Sequence, residues 1–268
     1  MRVPAVIADA HTVAKRNVIK IKRVPDLLVF TTLSPIMFVL LFAYVFGGAI
    51  DTGGDGAGYR EFLIAGIFAQ TVIFGSTITG VALAEDIKKG IVDRFRSLPM
   101  APSAVLTGRT FSDVINNVLT LFVMSLTGLL VGWRIRGSLL EALGGYLLLL
   151  VFAYAISWIM AWIGMLVPSP EVVNNASFIV IFPLTFIANT FVPLETLPGP
   201  LQRFAEWNPV SAVAQAAREL FGNIPAGTPE PTSWPLQNPV LYVLAWSAIV
   251  LVVFVPIANA QYRVSASR

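Results

Sequence analysis

Long stretches without a charged side chain alternate with short charged stretches along the whole chain. Six uncharged intervals contain at least 20 residues each: 27–50, 62–84, 114–133, 142–170, 172–194 and 231–262. A helix rises about 1.5 Å per residue, so about 20 residues cross a hydrocarbon core of roughly 30 Å. The pattern therefore predicts an all-α integral membrane protein with six transmembrane helices.

A soluble all-helical protein is the alternative interpretation of long apolar segments. Its helices would carry polar stripes with a period of 3.6 residues, and the six intervals are apolar all round. The composition agrees with a membrane protein, because 56% of the residues are hydrophobic, 12% are charged and the mean hydropathy is +0.76. Soluble domains contain about 45–50% apolar residues, so the soluble interpretation is disfavoured.

The positive charges indicate how the spans are oriented. Six spans place both termini on one side of the membrane, and 13 of the 18 Lys and Arg residues fall on that side. Loops rich in Lys and Arg remain in the cytoplasm, so both termini are expected there. The net charge of +3 is therefore an orientation signal, and we expect no nucleic-acid partner.

We interpret residues 1–268 as one transmembrane domain. Two segments of this domain outside the spans have the pattern of amphipathic helices. Residues 5–24 combine an apolar face with basic side chains, which predicts a helix lying in the cytoplasmic interface. Residues 193–238 are too polar and too rich in Pro to cross the membrane. They predict two short helices that rest in the outer leaflet or dip into it, the second capped by Asn208 and begun by Pro209.

The stretch EDIKKGIVDRFRSLP, residues 85–99, concentrates charge between the second and third spans. Its apolar residues are spaced to share one face of a short helix that ends at Pro99: Ile87, Ile91, Phe95 and Leu98. Membrane anchoring requires only Lys and Arg, whereas here acidic and basic side chains alternate. Mixed signs favour docking into a groove of another protein, although the residues alone leave both interpretations open.

Three stretches resemble a known family. They are AEDIKKGIVDRFRSLPMAP at 84–102, PSPEVV at 168–173 and FPLTFIANTFVPLETLPGPLQRFAEWNPVSAV at 182–213. These motifs are similar to the permease subunits of ABC-2 type exporters, in particular the daunorubicin-resistance (DrrB-like) branch. The similarity extends from Ile19 to the end of the sixth span, with the motifs in the expected order between the expected spans.

This resemblance implies a six-helix permease in the bacterial inner membrane, with cytoplasmic termini and a re-entrant segment before the last span. It implies a dimer with a second copy or a related permease, and a separate ABC ATPase subunit. It also implies that the segment 85–99 is the coupling helix onto that ATPase. The residues assigned to the coupling contact are Glu85, Asp86, Lys88, Lys89, Asp93, Arg94, Phe95 and Arg96.

The chain lacks the motifs that would give it chemistry of its own. The sequence contains no G-x-x-x-x-G-K-[ST] phosphate-binding loop, so we expect ATP and Mg²⁺ on the partner subunit and no catalytic residue here. It has no Cys and a single His, His11, so we expect no metal site and no cofactor in this chain.

Polar residues inside the spans are candidates for a substrate path: Gln70, Thr77, Asn174, Asn175 and Asn189. Hydrogen bonding between neighbouring helices is the structural alternative for such residues. Arg109 and Asp113 are four residues apart at the inner end of the third span, which fits an ion pair or an inner gate.

The sequence bears on three classes of function. A secondary transporter would need inverted repeats or intramembrane acids, and an intramembrane enzyme would need a motif such as H-E-x-x-H or G-x-S-x-G; neither is evident. An ATP-driven exporter remains, and its mostly apolar path suits hydrophobic or amphiphilic, drug-like or antibiotic-like compounds. A lipid or glycolipid cargo is the alternative.

Overall fold

The computed structural model describes residues 33, 36–42, 44, 57–96, 102–167, 169–191, 193–224 and 227–264. The predicted interfacial helix at 5–24 and most of the first span lie outside these residues. Within the described residues the chain is helical, with no β-strand.

The helices are named in chain order. They are α1 (Ala57–Lys88), α2 (Ile91–Arg96), α3 (Pro102–Leu130), α4 (Leu139–Leu166), α5 (Pro170–Phe186), a 3-10 turn (Leu194–Thr196), α6 (Gly199–Trp207), α7 (Pro209–Phe221), α8 (Trp234–Gln237) and α9 (Pro239–Val264).

Four of these helices, α1, α3, α4 and α9, are long and apolar enough to cross a membrane, and α5 is a shorter apolar helix of 17 residues. They correspond to the second, third, fourth, sixth and fifth predicted spans. Helix α9 exposes a row of large apolar side chains that suits contact with hydrocarbon, among them Leu241, Ile249 and Val252. Five of the six predicted spans therefore appear as apolar helices, and the first lies largely outside the described residues.

Helix α1 is the centre of the bundle. It packs against α3, α4, α5 and α7, and most of its first half is buried, including Leu63, Phe68 and Val72. Glycines permit the closest approaches: a Cβ built on Gly66 would lie 2.0 Å from the carbonyl oxygen of Thr190. Small residues let membrane helices pack backbone to backbone, so α1 is held tightly along its length.

The two predicted helices of the segment 193–238 occupy different positions in the structure. Asn208 caps α7, its side chain accepting from the backbone N–H of Val210, and Pro209 begins the helix, as predicted. Helix α6 exposes Leu201 and Phe204, whereas α7 is buried against α1, α4 and α9. Of the two predicted positions, burial in the bundle fits a helix that dips inward, and the small residues of α7 permit this close packing.

Candidate functional site

A cavity of about 310 Å³ lies between α1, α3, α5 and the described part of the first span. We call it the aromatic cavity. Its lining residues are Phe38, Gln70, Thr71, Phe74, Gly75, Ile78, Asn116, Thr120, Phe178 and Phe182. Binding sites for small molecules are typically concave, mostly apolar and equipped with a few polar groups, and this cavity has that character.

Four of the ten residues that line the cavity are phenylalanines. Phe178 and Phe182 are four residues apart on α5, so they share a face of the helix, and their ring centroids lie 5.2 Å apart in a stacked arrangement. Phe74 of α1 meets Phe178 at a centroid distance of 5.8 Å. Phe178 and Phe182 are also 51% and 39% exposed, so the cavity opens at the surface of α5.

Two carboxamides supply the polar groups of the cavity. Gln70 comes from α1, one turn before Phe74, and Asn116 comes from α3. Neither side chain forms a hydrogen bond with any residue that the structure describes. The hydroxyl of Thr120, in contrast, donates to the backbone oxygen of Asn116 at 3.0 Å. The two amides are therefore available to a bound molecule.

The predicted substrate path is only partly assembled. Gln70 lines the aromatic cavity, but Thr77 donates back to the carbonyl oxygen of Phe74 on its own helix at 2.7 Å. Asn174 and Asn175 are exposed near the start of α5. Asn189 lies beyond the end of α5, where its Nδ2 donates to Gln215. These four residues do not line the aromatic cavity.

Sequence reasoning missed the aromatic residues and Asn116. Phenylalanine in an apolar span is equally typical of a lipid-facing surface, so its identity alone carried no signal. The spacing of four between Phe178, Phe182 and Phe186 was visible in the sequence. Only the packing of α5 against α1 distinguishes a cavity wall from a lipid-facing stripe.

The candidate gate residues Arg109 and Asp113 come together with a third residue. The Nε atom of Arg109 lies 3.9 Å from the Oδ2 atom of Asp113, and both side chains are largely buried. The Thr79 hydroxyl of α1 donates to the same Asp113 oxygen. Asp113 therefore links α3 to α1 as well as to the start of its own helix.

The charged stretch at 85–99 is not one continuous helix. Helix α1 runs on to Lys88, a turn follows, and α2 begins at Ile91. Gly90 adopts a φ of +66° in this turn, a conformation that residues other than glycine rarely take. The predicted single face containing Ile87 and Ile91 is therefore wrong, because the turn at Gly90 interrupts the helix between them.

Several residues of this charged turn, 85–96, are accessible, whereas Val92 is buried. Lys88, Lys89 and Arg94 are exposed, and the Lys89 ammonium pairs with Glu85 at 2.5 Å. The side chains of Asp93, Phe95 and Arg96, and residues 97–99, lie outside the description. Lys88 also interacts electrostatically with Glu171 at the beginning of α5. The turn is therefore adjacent to the first turn of the helix that carries the cavity phenylalanines.

The opposite end of α1 is fastened by two arginines. The Nε atom of Arg136 lies 2.9 Å from both carboxylate oxygens of Glu61, and this hydrogen bonding raises the pKa of the Arg136 guanidinium. Arg218 of α7 is only 1% exposed and stacks over the Phe62 ring at 3.5 Å. Its Nε donates to the carbonyl oxygen of Phe62, and its Nη2 donates to that of Asn189.

The sequence was compared with known proteins. It matches the ABC-2 type transporter family over residues 9–221. It is 38% identical to the daunorubicin resistance ABC transporter permease protein DrrB1 of Streptomyces coeruleorubidus, across 92% of this chain and 83% of that protein. It is 26% identical to the probable doxorubicin resistance ABC transporter permease protein DrrC of Mycobacterium tuberculosis, across 86% of this chain and 80% of that protein.

A more distant relative is the putative transport permease ycf38 of Pyropia yezoensis, with 24% identity across 82% of this chain and 76% of that protein. The family match covers most of the helices described above, including the aromatic cavity and the charged turn. The chain therefore belongs to the ABC-2 type transporter family.

Proposed function

We propose that this chain is the permease subunit of an ATP-driven exporter that moves hydrophobic or amphiphilic aromatic compounds out of the cell. The aromatic cavity is the single observation that carries the proposal. Stacked and edge-on ring contacts favour planar aromatic ligands, and Gln70 and Asn116 add amides free to hydrogen-bond. The drug-resistance functions in the names of the relatives point to the same class of cargo.

The charged turn, residues 85–96, is the proposed contact with a separate ABC ATPase subunit. Helix α1 continues without a break from its first residues to Lys88, so a push on the turn would move the whole helix and the cavity residues Gln70 and Phe74. The packing of α1 against α5 would carry the motion to α5, and Asp113 would carry it to α3. All three helices that wall the cavity thus connect to the turn.

The proposed topology places the charged turn in the cytoplasm of a bacterial cell, together with both termini. This assignment follows from the unequal distribution of Lys and Arg. It places Arg136 and Arg218 near the outer face, at the other end of α1. A second permease copy or a related permease would complete the transporter, because the cavity opens along the exposed side of α5, at Phe178 and Phe182.

Lipid export is the second candidate. The observation in its favour is the same opening: exposed Phe178 and Phe182 would admit an acyl chain directly from the bilayer. An aromatic cargo should depend strongly on ring stacking, whereas an acyl chain should depend on apolar volume alone.

The test measures intracellular accumulation of a planar aromatic dye in cells that express the chain together with its ATPase. Loss of the chain should raise accumulation, and so should Phe182→Ala, because a stacking wall is lost. Ile179→Ala is the matched control, since Ile179 lies on the same helix, is 72% exposed and does not line the cavity.

Phe182→Leu separates the two cargoes. It keeps apolar volume but removes the ring, so it should impair dye export while sparing export of an acyl lipid. Unchanged dye accumulation on loss of the chain, accompanied by reduced lipid at the outer surface, would replace the drug-export proposal with lipid export.

A further inference from the structure

The aromatic cavity lies at mid-depth of the helices that wall it. Asn116 is the middle residue of α3 (Pro102–Leu130), and Phe178 is the middle residue of α5 (Pro170–Phe186). At a rise of about 1.5 Å per residue, Asn116 is about 21 Å from either end of its helix. A molecule bound in the cavity is therefore far from the charged residues at both ends of the helices.

None of the described residues that line the cavity carries an ionisable side chain. The segments that supply the lining come from sequence intervals without any charged residue: 27–50, 62–84, 114–133 and 172–194. A charged group in the cavity would find no counter-charge on these segments. An unpaired charge away from water is strongly disfavoured, so the cavity suits a neutral ligand.

Asp113 is the ionisable residue of α3 nearest to the cavity, one turn before Asn116. It does not belong to the lining. Its carboxylate accepts from the Thr79 hydroxyl and pairs with Arg109, whose Nε atom lies 3.9 Å from Oδ2. Because these partners balance its charge, Asp113 is not available as the counter-ion of a cationic ligand.

Gln70 provides a positive sign of a ligand. It lines the cavity and is only 5% exposed, yet its side chain forms no hydrogen bond with any described residue. The fully enclosed polar atoms that lack a partner in the described part of the chain do not include those of Gln70. Its amide therefore retains accessible surface at the cavity. A buried amide without a partner is costly, and a ligand with matching groups would remove that cost.

Asn116 brings a second carboxamide to the same cavity from α3. Its side chain also forms no hydrogen bond with a residue that the structure describes. A carboxamide offers one acceptor oxygen and two N–H donors. Gln70 and Asn116 can therefore satisfy a neutral group that both donates and accepts, such as an amide or a hydroxyl group.

We propose that Gln70 and Asn116 are specificity-determining residues that select aromatic compounds whose polar group is uncharged and forms hydrogen bonds. The proposal rests on the proposed export function and deepens it by naming the charge state of the cargo. A compound that can ionise enters the cavity in its neutral form, and a permanently charged ring system is excluded.

The first experiment measures binding to the purified complex of the full chain and its ATPase. It uses three fluorescent probes built on one planar aromatic ring, with a carboxamide, a methyl or a trimethylammonium group at the same position. Comparing affinity ratios between variants cancels the different partitioning of the probes into detergent. Gln70→Met and Asn116→Leu should each lower the carboxamide-to-methyl ratio by about fivefold, equivalent to about 1 kcal/mol.

Thr77→Val is the matched control for this experiment. Thr77 is a polar residue of α1 that does not line the cavity, and its hydroxyl donates to the carbonyl oxygen of Phe74 at 2.7 Å. This variant also removes a polar group from the helix, but the carboxamide-to-methyl ratio should not change.

Thermal unfolding distinguishes ligand recognition from a role in helix packing. Gln70→Met and Asn116→Leu lose no hydrogen bond to a described residue, so the Tm of each variant should equal or exceed that of the wild type. A carboxamide-to-methyl ratio that is unchanged in both variants would overturn the proposal. A lower Tm would then assign the two amides to contacts between helices.

Gln70→Glu tests the exclusion of charge, because it places a carboxyl group of nearly the same shape in the cavity. The wild type should bind the methyl probe more tightly than the trimethylammonium probe. The variant supplies a counter-charge, so it should raise the trimethylammonium-to-methyl ratio by about tenfold or more. Equal affinity of the wild type for both probes, or an unchanged ratio in the variant, would contradict the exclusion of charge.

ATP-driven uptake of the carboxamide probe into inside-out vesicles tests the export function separately. Absent uptake, with affinity ratios that change as predicted, would contradict the proposed function and leave the assignment of the cavity intact. Absence of saturable binding for all three probes would overturn the assignment of the cavity itself.

Discussion

The crossing of α1 and α4 at Gly80 and Gly164 provides a sharp test of the packing. A Cβ atom added to Gly164 would lie 2.3 Å from the carbonyl oxygen of Gly80 and 2.8 Å from its Cα. Both obstacles are backbone atoms, so no side chain can move aside. The helices would have to separate by about 1 Å to restore ordinary van der Waals contact near 3.4 Å.

The expected cost of Gly164→Ala follows from two opposing effects. Overpacking a tight contact costs about 1–3 kcal/mol, whereas replacing glycine by alanine within a helix gains about 0.5–1 kcal/mol. The net destabilisation is about 1–2 kcal/mol, which corresponds to a fall in Tm of about 3–6 °C.

Gly144→Ala is the control on the same helix, because among the described residues its Cβ would meet only the Cδ2 atom of Leu220, at 4.0 Å. This variant should gain the helix-propensity benefit without the clash, so its Tm should equal or exceed that of the wild type. The assay is thermal unfolding of the two variants in the same detergent. A Tm of Gly164→Ala at or above that of Gly144→Ala would refute the close crossing.

Three further predictions concern charged residues. Arg218→Met leaves three backbone carbonyls without their donor, and each unsatisfied carbonyl costs about 1–3 kcal/mol. Size-exclusion chromatography should therefore show loss of folded protein. The control is Arg203→Met at an exposed position, which should leave the yield of folded protein unchanged. Asp113→Asn keeps an acceptor for the Thr79 hydroxyl but leaves the largely buried Arg109 without its counter-charge, so Tm and ATP-driven uptake per folded protein should both fall; normal uptake by the folded protein would argue against a gate there. Exchanging charge in the double variant Asp86→Arg/Arg94→Asp keeps the net charge, and it should release the ATPase during purification without lowering Tm; a retained ATPase would exclude these residues as docking contacts.

Local features of the fold could be predicted from the sequence. An amide followed by proline gave the start of α7 at Asn208, because capping and a fixed proline φ act within one turn. Four spans and the shorter apolar helix α5 were recognised, because the length of an apolar run needed to cross the membrane depends on bilayer thickness. The break at Gly90 was missed, because apolar spacing continued across it and only the glycine indicated a positive φ.

Features that depend on which helix faces pack against each other could not be predicted from the sequence. Gln70 was found because an amide in a span is conspicuous, but Thr77 looked equivalent until its bond to its own helix was known. Asn189 was placed in one path with Gln70, yet it lines a different cavity. Helix α7 had an amphipathic pattern, and its burial follows from packing against three other helices.

The central claim is that an ATPase, acting through the charged turn, drives aromatic compounds through this chain. ATP-dependent uptake of a planar aromatic dye into inside-out vesicles tests it most directly, with vesicles containing the chain and its ATPase, the chain alone or the ATPase alone. We predict uptake only when both proteins and ATP are present. Equal uptake by the chain alone, or without ATP, would contradict the account.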